Sequence, residues 1–233
     1  MSYAIISGAS QGIGKSIAEK MAKEGQNLIL LARNIKALKE IKADLEKRFS
    51  IKIEVAKLDV TSKEEIKECF DSLKPLLPKV EILINNAGTF IPGKIEEEDD
   101  GALEQMIETN LYSAYNISRA VLPFMKEKES GHIFNMCSIA SLNAYENGGS
   151  YSISKFALLG FSKCLRQEVM EYGIKVTQIM PGATLTPSWD GVDFPHDRFM
   201  KPEDIADIIW ATYTLSKNTT VEDIVLRPQL GDL

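Results

Sequence analysis

A chain of 233 residues with 44% hydrophobic and 26% charged side chains has the balance of a folded globular protein rather than a disordered one, and no apolar run approaches the ~18 residues that a membrane-spanning helix needs. The net charge of −6 disfavours a nucleic-acid partner, which calls for a basic patch. Two histidines, His132 and His196, stand in no metal-ligand spacing, and Cys69, Cys137 and Cys164 form no C-x-x-C pair, so no metal is expected and the thiols read as structural ones in a reducing compartment.

The opening MSYAIISGAS enters an apolar run almost at once, with no basic segment leading a long apolar region, so a cytoplasmic protein is expected. Seven short apolar runs read as strands, at residues 3–7, 27–32, 53–60, 81–87, 131–138, 174–181 and 223–228. Between them, GIGKSIAEKMAKEG, NIKALKEIKADLEKRF and SKEEIKECFDSLKPLL repeat apolar residues at three- and four-residue intervals, the helical period. Strands that are apolar on both faces and alternate with helices predict an α/β fold. Its sheet should be mostly parallel, covered by helices on both sides, with right-handed crossovers. A chain of this length fits one domain over residues 1–233.

Directly after the first strand comes SGASQGIGK, with Gly8, Gly12 and Gly14 spaced G-x-x-x-G-x-G and Ile13 between the last two. Glycine lets the backbone turn sharply and approach a ligand, while the helix that follows offers free N–H groups to an anion. Between a first strand and a first helix, this pattern predicts a dinucleotide pyrophosphate site. The second strand ends in LLAR, which puts Arg33 where the adenosine ribose is read. A guanidinium there pairs with the 2′-phosphate of NADP, whereas an acidic residue would accept from the 2′-hydroxyl of NAD. NADP(H) is therefore expected in preference to NAD(H), with Ser10 adding a hydroxyl donor to the phosphate. The third strand leads into LDVT, where Asp59, followed by Val60, is placed to accept from the adenine amino group. The fourth leads into NNAG, where Asn86, Ala87 and Gly88 bring backbone close to the cofactor.

The acidic run EEEDDG, residues 96–101, reads as a solvated helix N-terminus whose carboxylates complement the helix dipole. Farther on, GGSYSISKFALLGF sets Tyr151 and Lys155 four residues apart, on one face of a helix. Residues 184–200, TLTPSWDGVDFPHDRFM, show no clear period and read as a substrate loop.

GASQGIG, LDVT, NNAG, Asn110 in ETNLYSAYN, Ser138 in FNMCSIAS, Tyr151 and Lys155 in YSISK, and PGATLT from Pro181 to Thr186 resemble, in order and over nearly the whole chain, the short-chain dehydrogenases/reductases. Ser138 stands thirteen residues before Tyr151, the spacing usual in that family. The resemblance implies a single Rossmann-fold domain with a doubly wound, seven-stranded parallel sheet in the order 3-2-1-4-5-6-7. It also implies roles. Tyr151 would be the acid/base and Lys155 the ammonium that lowers its pKa and holds the nicotinamide ribose. Ser138 would donate to the substrate oxygen, and Asn110 would hold a water linking the lysine to solvent. Pro181, Gly182, Thr184 and Thr186 would join the cofactor site. A homodimer or homotetramer packed through the helices carrying Asn110 and Tyr151 is implied too.

The chemistry accounts for these residue types. Reducing a ketone by hydride transfer creates an alkoxide, which needs a proton and hydrogen-bond donors. A phenol of ordinary pKa ~10 holds its proton too tightly for fast alcohol oxidation at neutral pH, and a nearby ammonium eases its release. The expected function is NADP(H)-dependent oxidoreduction of a small-molecule carbonyl or alcohol. A 3-oxoacyl thioester reductase is the alternative, and a non-catalytic dinucleotide-binding redox sensor is the reading from another class. Ser138, Tyr145, Trp189 and Phe194 are the expected substrate contacts, with Met136 either beside them or in the core. Where many family members end in a glycine-rich segment, this chain ends in IVLRPQLGDL.

Overall fold

Strand β1 (Tyr3–Ser7) is buried along its whole length and pairs in parallel with β2 (Asn27–Ala32) on one side and with β4 (Val80–Asn85) on the other. Together with β3 (Ile53–Lys57), β5 (Gly131–Met136), β6 (Ile174–Pro181) and β7 (Asp223–Leu226), they form an all-parallel sheet in the order 3-2-1-4-5-6-7. The computed structural model describes residues 2–189, 191 and 193–232.

Successive side chains of a strand point to opposite faces, and β2 shows what that does here. Leu28 and Leu30 join a core with Ile17, Met21, Leu45 and Ile209, under helices α1 (Gly12–Lys23), α2 (Ile35–Arg48) and α7 (Pro202–Tyr213). Ile29 and Leu31 join a second core with Ile66, Phe70, Ile117 and Leu165, under α3 (Lys63–Leu73), α5 (Ser113–Glu127) and α6 (Gly149–Val169). A parallel sheet buried on both faces needs apolar residues at every position of its central strands, as the sequence pattern predicts. Among the described residues, no helix is long and apolar enough to cross a membrane.

Strand order reverses at β1, whose neighbours are β2 and β4. In such sheets the crevice beyond the carboxyl ends of the strands at this point is the place where ligands bind. The chain delivers Gly8, Asn86, Ser138 and Gly182 to that edge, each within two residues of a strand end.

Four strands stop short of their predicted ends: β7 stops at Leu226 rather than residue 228, and in the other three side-chain hydrogen bonds are the reason. β3 ends at Lys57 rather than residue 60, because Asp59 Oδ1 accepts from the Thr61 amide at 3.0 Å and turns the chain. β4 ends at Asn85 rather than 87, since the amides of Asn86 and Ala87 both donate to Ser7 Oγ, at 3.0 and 3.1 Å. β5 ends at Met136 rather than 138 because Ser138 Oγ accepts from the Ala140 amide at 3.1 Å and opens a 3-10 turn. Residues 102–127 form α4 (Ala102–Ile107) and α5 joined by a π-helical turn, Glu108–Tyr112. Such wide turns are rare and gather at functional sites; this one carries Asn110.

Candidate active site

Tyr151 lies in the first turn of α6 and Lys155 one turn on, so both project toward the end of β5. The Ser138 side chain lies close enough to the Tyr151 hydroxyl to favour the phenolate. Burial outweighs it and pushes the phenol up to about 12. Lys155 is 5% exposed, and burial brings its ammonium down to about 8. Its Nζ donates to the Met136 carbonyl at 2.8 Å and stands 5.7 Å from the centroid of the Tyr151 ring. The expected lowering of the tyrosine by Lys155 is therefore not the state of this arrangement. The ammonium is occupied by a carbonyl, and desolvation dominates the phenol.

Asn110 is 1% exposed and its side chain makes three hydrogen bonds. Its Oδ1 accepts from the Thr89 amide at 2.8 Å, and its Nδ2 donates to the Thr89 carbonyl at 3.0 Å and to Ser154 Oγ at 2.8 Å. It thereby ties the segment after NNAG to α6. A Cβ on Gly88 would lie 3.1 Å from Asn110 Oδ1 and 3.5 Å from Lys155 Nζ, so the amide oxygen and the ammonium converge over this glycine. All four expected catalytic side chains are thus in one cluster.

The glycine loop has the form an anion needs. Gly8 and Gly12 adopt φ of +66° and +54°, which side-chain-bearing residues rarely adopt. A Cβ on Gly14 would fall 2.3 Å from the Gly8 carbonyl oxygen and 2.5 Å from Asn86 Nδ2, so the loop closes onto NNAG only with glycine there. No side chain caps α1 and its first turn holds no acidic residue, leaving N–H groups facing the crevice for a pyrophosphate. These residues fit a dinucleotide. Thr186 packs against Gly12, with its Cγ2 3.3 Å from where a Cβ would be. Thr184 Oγ1 donates to the Gly182 carbonyl at 3.0 Å. Arg33, after β2, is exposed. It lies near enough to Asp59 to help hold that carboxyl below its ordinary value, behind the larger effect of the Thr61 backbone and hydroxyl bonds. Asp59 is thus already an acceptor for Thr61, at 2.8 Å from the hydroxyl, with its second oxygen left for a ligand. The IVLRPQLGDL ending closes against this edge, where the Gly182 amide donates to the Leu226 carbonyl at 2.8 Å and Arg227 pairs with Asp232.

The expected substrate residues do not form one pocket. Tyr145, close enough to Tyr151 to raise its pKa, lines an open groove of about 740 Å³ with Ile95, Ile153 and Phe156. Neither Trp189 nor Phe194 reaches that groove. Trp189 packs edge-on against Phe199, with ring centroids 5.0 Å apart, while Phe194 is exposed. Met136 is in the core, and its carbonyl is what meets the lysine. The 184–200 loop is anchored at both ends by an isolated bridge between Thr184 and Met200; its residues Asp190 and Val192 lie outside the described ones.

Two residues were missed by sequence reasoning. Phe90 meets the Tyr151 ring edge-on at 4.8 Å. Glu98, read as a solvated charge at its own helix, instead turns to α6: its Oε1 accepts from the Ser150 amide at 2.8 Å and its Oε2 from the Ser150 hydroxyl. An aromatic shortly after NNAG was the only signal for the first, and a contact spanning 52 positions leaves no local signal for the second. Among the described residues, no group of three or more His, Cys, Asp or Glu side chains could hold a metal ion.

A family model described as short chain dehydrogenase matches residues 2–193. An uncharacterized oxidoreductase of Staphylococcus saprophyticus is 34% identical over 227 residues, covering 97% of this chain and 96% of its own. Among solved structures, an alcohol dehydrogenase from the archaeon Thermococcus sibiricus complexed with 5-hydroxy-NADP superposes with a TM-score of 0.91 at 27% identity, covering 98% of this chain and 97% of that one. L-sorbose reductase from Gluconobacter frateurii, complexed with NADPH and L-sorbose, gives a TM-score of 0.88 at 29% identity, covering 97% and 95%.

Proposed function

The chain belongs to the short-chain dehydrogenase family, and we propose that it is an NADPH-dependent reductase of a small-molecule carbonyl compound, with Tyr151 as proton donor. The observation that carries this reading is the convergence of the Ser138 side chain and the Tyr151 hydroxyl beside the buried Lys155, which sets two donors at one point. When bound, the nicotinamide supplies the hydride. Ser138 and Tyr151 hydrogen-bond the carbonyl oxygen as it gains charge, and Tyr151 gives it a proton. An alkoxide is a far stronger base than a phenolate, so even a phenol held at about 12 donates readily. Lys155 would hold the nicotinamide ribose and stabilise the phenolate, and Asn110 would place the water through which the tyrosine is re-protonated.

Gly8, Ser10, Gly12, Ile13 and Gly14 would hold the pyrophosphate end, Arg33 the 2′-phosphate, and Asp59 and Val60 the adenine. Asn86, Ala87, Gly88, Pro181, Gly182, Thr184 and Thr186 would line the nicotinamide side. The 5-hydroxy-NADP and NADPH carried by the two solved relatives above support a nicotinamide dinucleotide in this crevice. The groove beside Tyr145 and the 184–200 loop are read as the walls around the substrate. A non-catalytic sensor would have no use for all four side chains in this cluster. Exposed Tyr112, Tyr115, Ile153 and Phe156 on α5, α6 and the π turn support a homodimer or larger assembly through these helices. NADPH oxidation measured across a panel of ketones, aldehydes, ketoses and 3-oxoacyl thioesters tests the reading. It predicts turnover with at least one non-thioester carbonyl, and turnover confined to thioesters would replace it with the alternative.

A further inference from the structure

We infer that Glu98 is a positioning residue for the reaction, a clasp that fixes the first turn of α6 and with it the Tyr151 hydroxyl. The inference rests on the reading of Tyr151 as proton donor. α6 begins without help from its own sequence: its N-cap is Gly148, no side chain caps it, and its first turn holds no acidic residue. The first N–H groups of a helix have no partner within it, and an uncapped end frays. Glu98 supplies the missing carboxylate from the β4–α4 connection. Its two oxygens take the Ser150 amide and hydroxyl, and Ser150 is 2% exposed. A charged acceptor makes each of these bonds stronger than a neutral one would, and the negative charge suits the helix N-terminus.

The clasp is built rather than incidental. The amides of Glu97 and Glu98 both donate to the Lys94 carbonyl, at 2.8 and 2.9 Å, a turn that sends the Glu98 side chain back along its own segment. There, the Gly93 amide donates to Asn147 O at 3.0 Å and the Gly149 amide to Gly93 O at 3.2 Å, so the segment is stitched to the start of α6 by backbone as well. A Cβ on Gly93 would lie 2.6 Å from Glu98 Cγ, and one on Gly149 would lie 2.4 Å from Glu98 Oε1 and 2.9 Å from Gly93 O. Both glycines leave room for the carboxylate. The same connection also supplies Phe90, edge-on to the Tyr151 ring. Tyr151 is therefore gripped at its ring by one end of this segment and through its neighbouring residue by the other. Proton donation depends on sub-ångström placement, where a shift of ~1 Å can cost about a hundredfold.

The test pairs an exchange measurement with kinetics on Glu98→Ala, Glu98→Gln and, as control, Glu97→Ala. In the wild type without ligands, amide hydrogen exchange of the peptide over residues 149–155 reports the first turn of α6. Glu98→Ala should speed it at least about tenfold and lower kcat at least about tenfold, while the Kd for NADPH, read by its fluorescence, changes less than about twofold. Glu98→Gln keeps a carbonyl oxygen for the Ser150 amide and should restore most of both, and Glu97→Ala should change neither. Unchanged exchange in Glu98→Ala, or exchange and NADPH binding lost together, overturns the inference. Should Glu98→Ala not fold, Ser150→Ala removes one of the two bonds and must show the same effects in weaker form, or the inference fails. If no carbonyl substrate is found, the functional reading falls by itself and the exchange arm still decides whether the clasp exists.

Discussion

Lys155 and Met136 are joined by a 2.8 Å hydrogen bond from the lysine ammonium to the methionine carbonyl. It holds the amine at the end of β5, behind the tyrosine rather than on it. Because burial lowers the lysine to about 8 from an ordinary 10.5, this side chain binds more protons in the unfolded chain than in the folded one between those values. Across that window Lys155 adds stability as pH rises, whereas Cys69 and Cys137, raised to about 11 by burial, remove it in wild type and variant alike. The stability of Lys155→Met relative to the wild type should therefore fall by about 1–3 kcal/mol between pH ~7.5 and pH ~10. Urea denaturation of both proteins at the two pH values checks this, and a gap that does not move with pH contradicts it. Tyr151, raised by burial, is present in both proteins and cancels in the comparison.

Gly14→Ala should destabilise the protein by about 1–3 kcal/mol, as overpacking of fixed backbone does, and should weaken dinucleotide binding. The new methyl would sit 2.3 Å from the Gly8 carbonyl, which cannot yield without moving the loop. Gly160→Ala offers the opposite sign. No atom lies within 4 Å of a Cβ there, the residue is within α6, and alanine in a helix interior is favoured by up to ~1 kcal/mol. Thermal denaturation of the two variants should show a fall and a rise in Tm.

Arg33→Asp should reverse the dinucleotide preference. A charge-assisted bidentate contact contributes about 1.5–3 kcal/mol, so the wild type should favour NADPH by about ten- to a hundredfold in kcat/KM. The lower end is expected, since Gln11 brings no second positive charge to the loop. The aspartate would repel the phosphate and accept from the ribose hydroxyl. A wild type that favours NADH, or a variant with an unchanged ratio, shows that Arg33 is not the reader.

Phe156→Glu should shift the protein toward monomer in light scattering at micromolar concentration while leaving Tm within a few degrees. The side chain is 44% exposed on α6, so the charge is tolerated by the fold, whereas an isologous interface would bury it twice. A wild type that is already monomeric contradicts the assembly.

The strands β1, β2 and β6 were legible to the residue, because their apolar runs are bounded by glycine, polar residues or proline. β3, β4 and β5 were overrun, because LDV, NA and CS still look like strand while Asp59, Ser7 and Ser138 capture the backbone with side-chain oxygens, and β7 was overrun by Arg227 and Pro228. The gathering of Asn110, Ser138, Tyr151 and Lys155 was legible from ordered motifs. The bond from Lys155 to Met136 was not, since a carbonyl acceptor has no residue type. Glu98 was misassigned because an acidic run before a helix suggests its own helix, and only the tertiary fold brings α6 to it. Tyr145, Trp189 and Phe194 were grouped by residue type alone, which carries no information about distance between loops.

The most direct test of the account is the turnover of Tyr151→Phe with NADPH and the best carbonyl substrate of the wild type. Phenylalanine keeps the ring against Phe90 and removes only the hydroxyl that meets Ser138. NADPH affinity should stay within about twofold, and kcat should fall at least ~10²-fold, the lower end for loss of a positioned acid. Unchanged kcat in a variant that still binds NADPH would show that Tyr151 is not the proton donor.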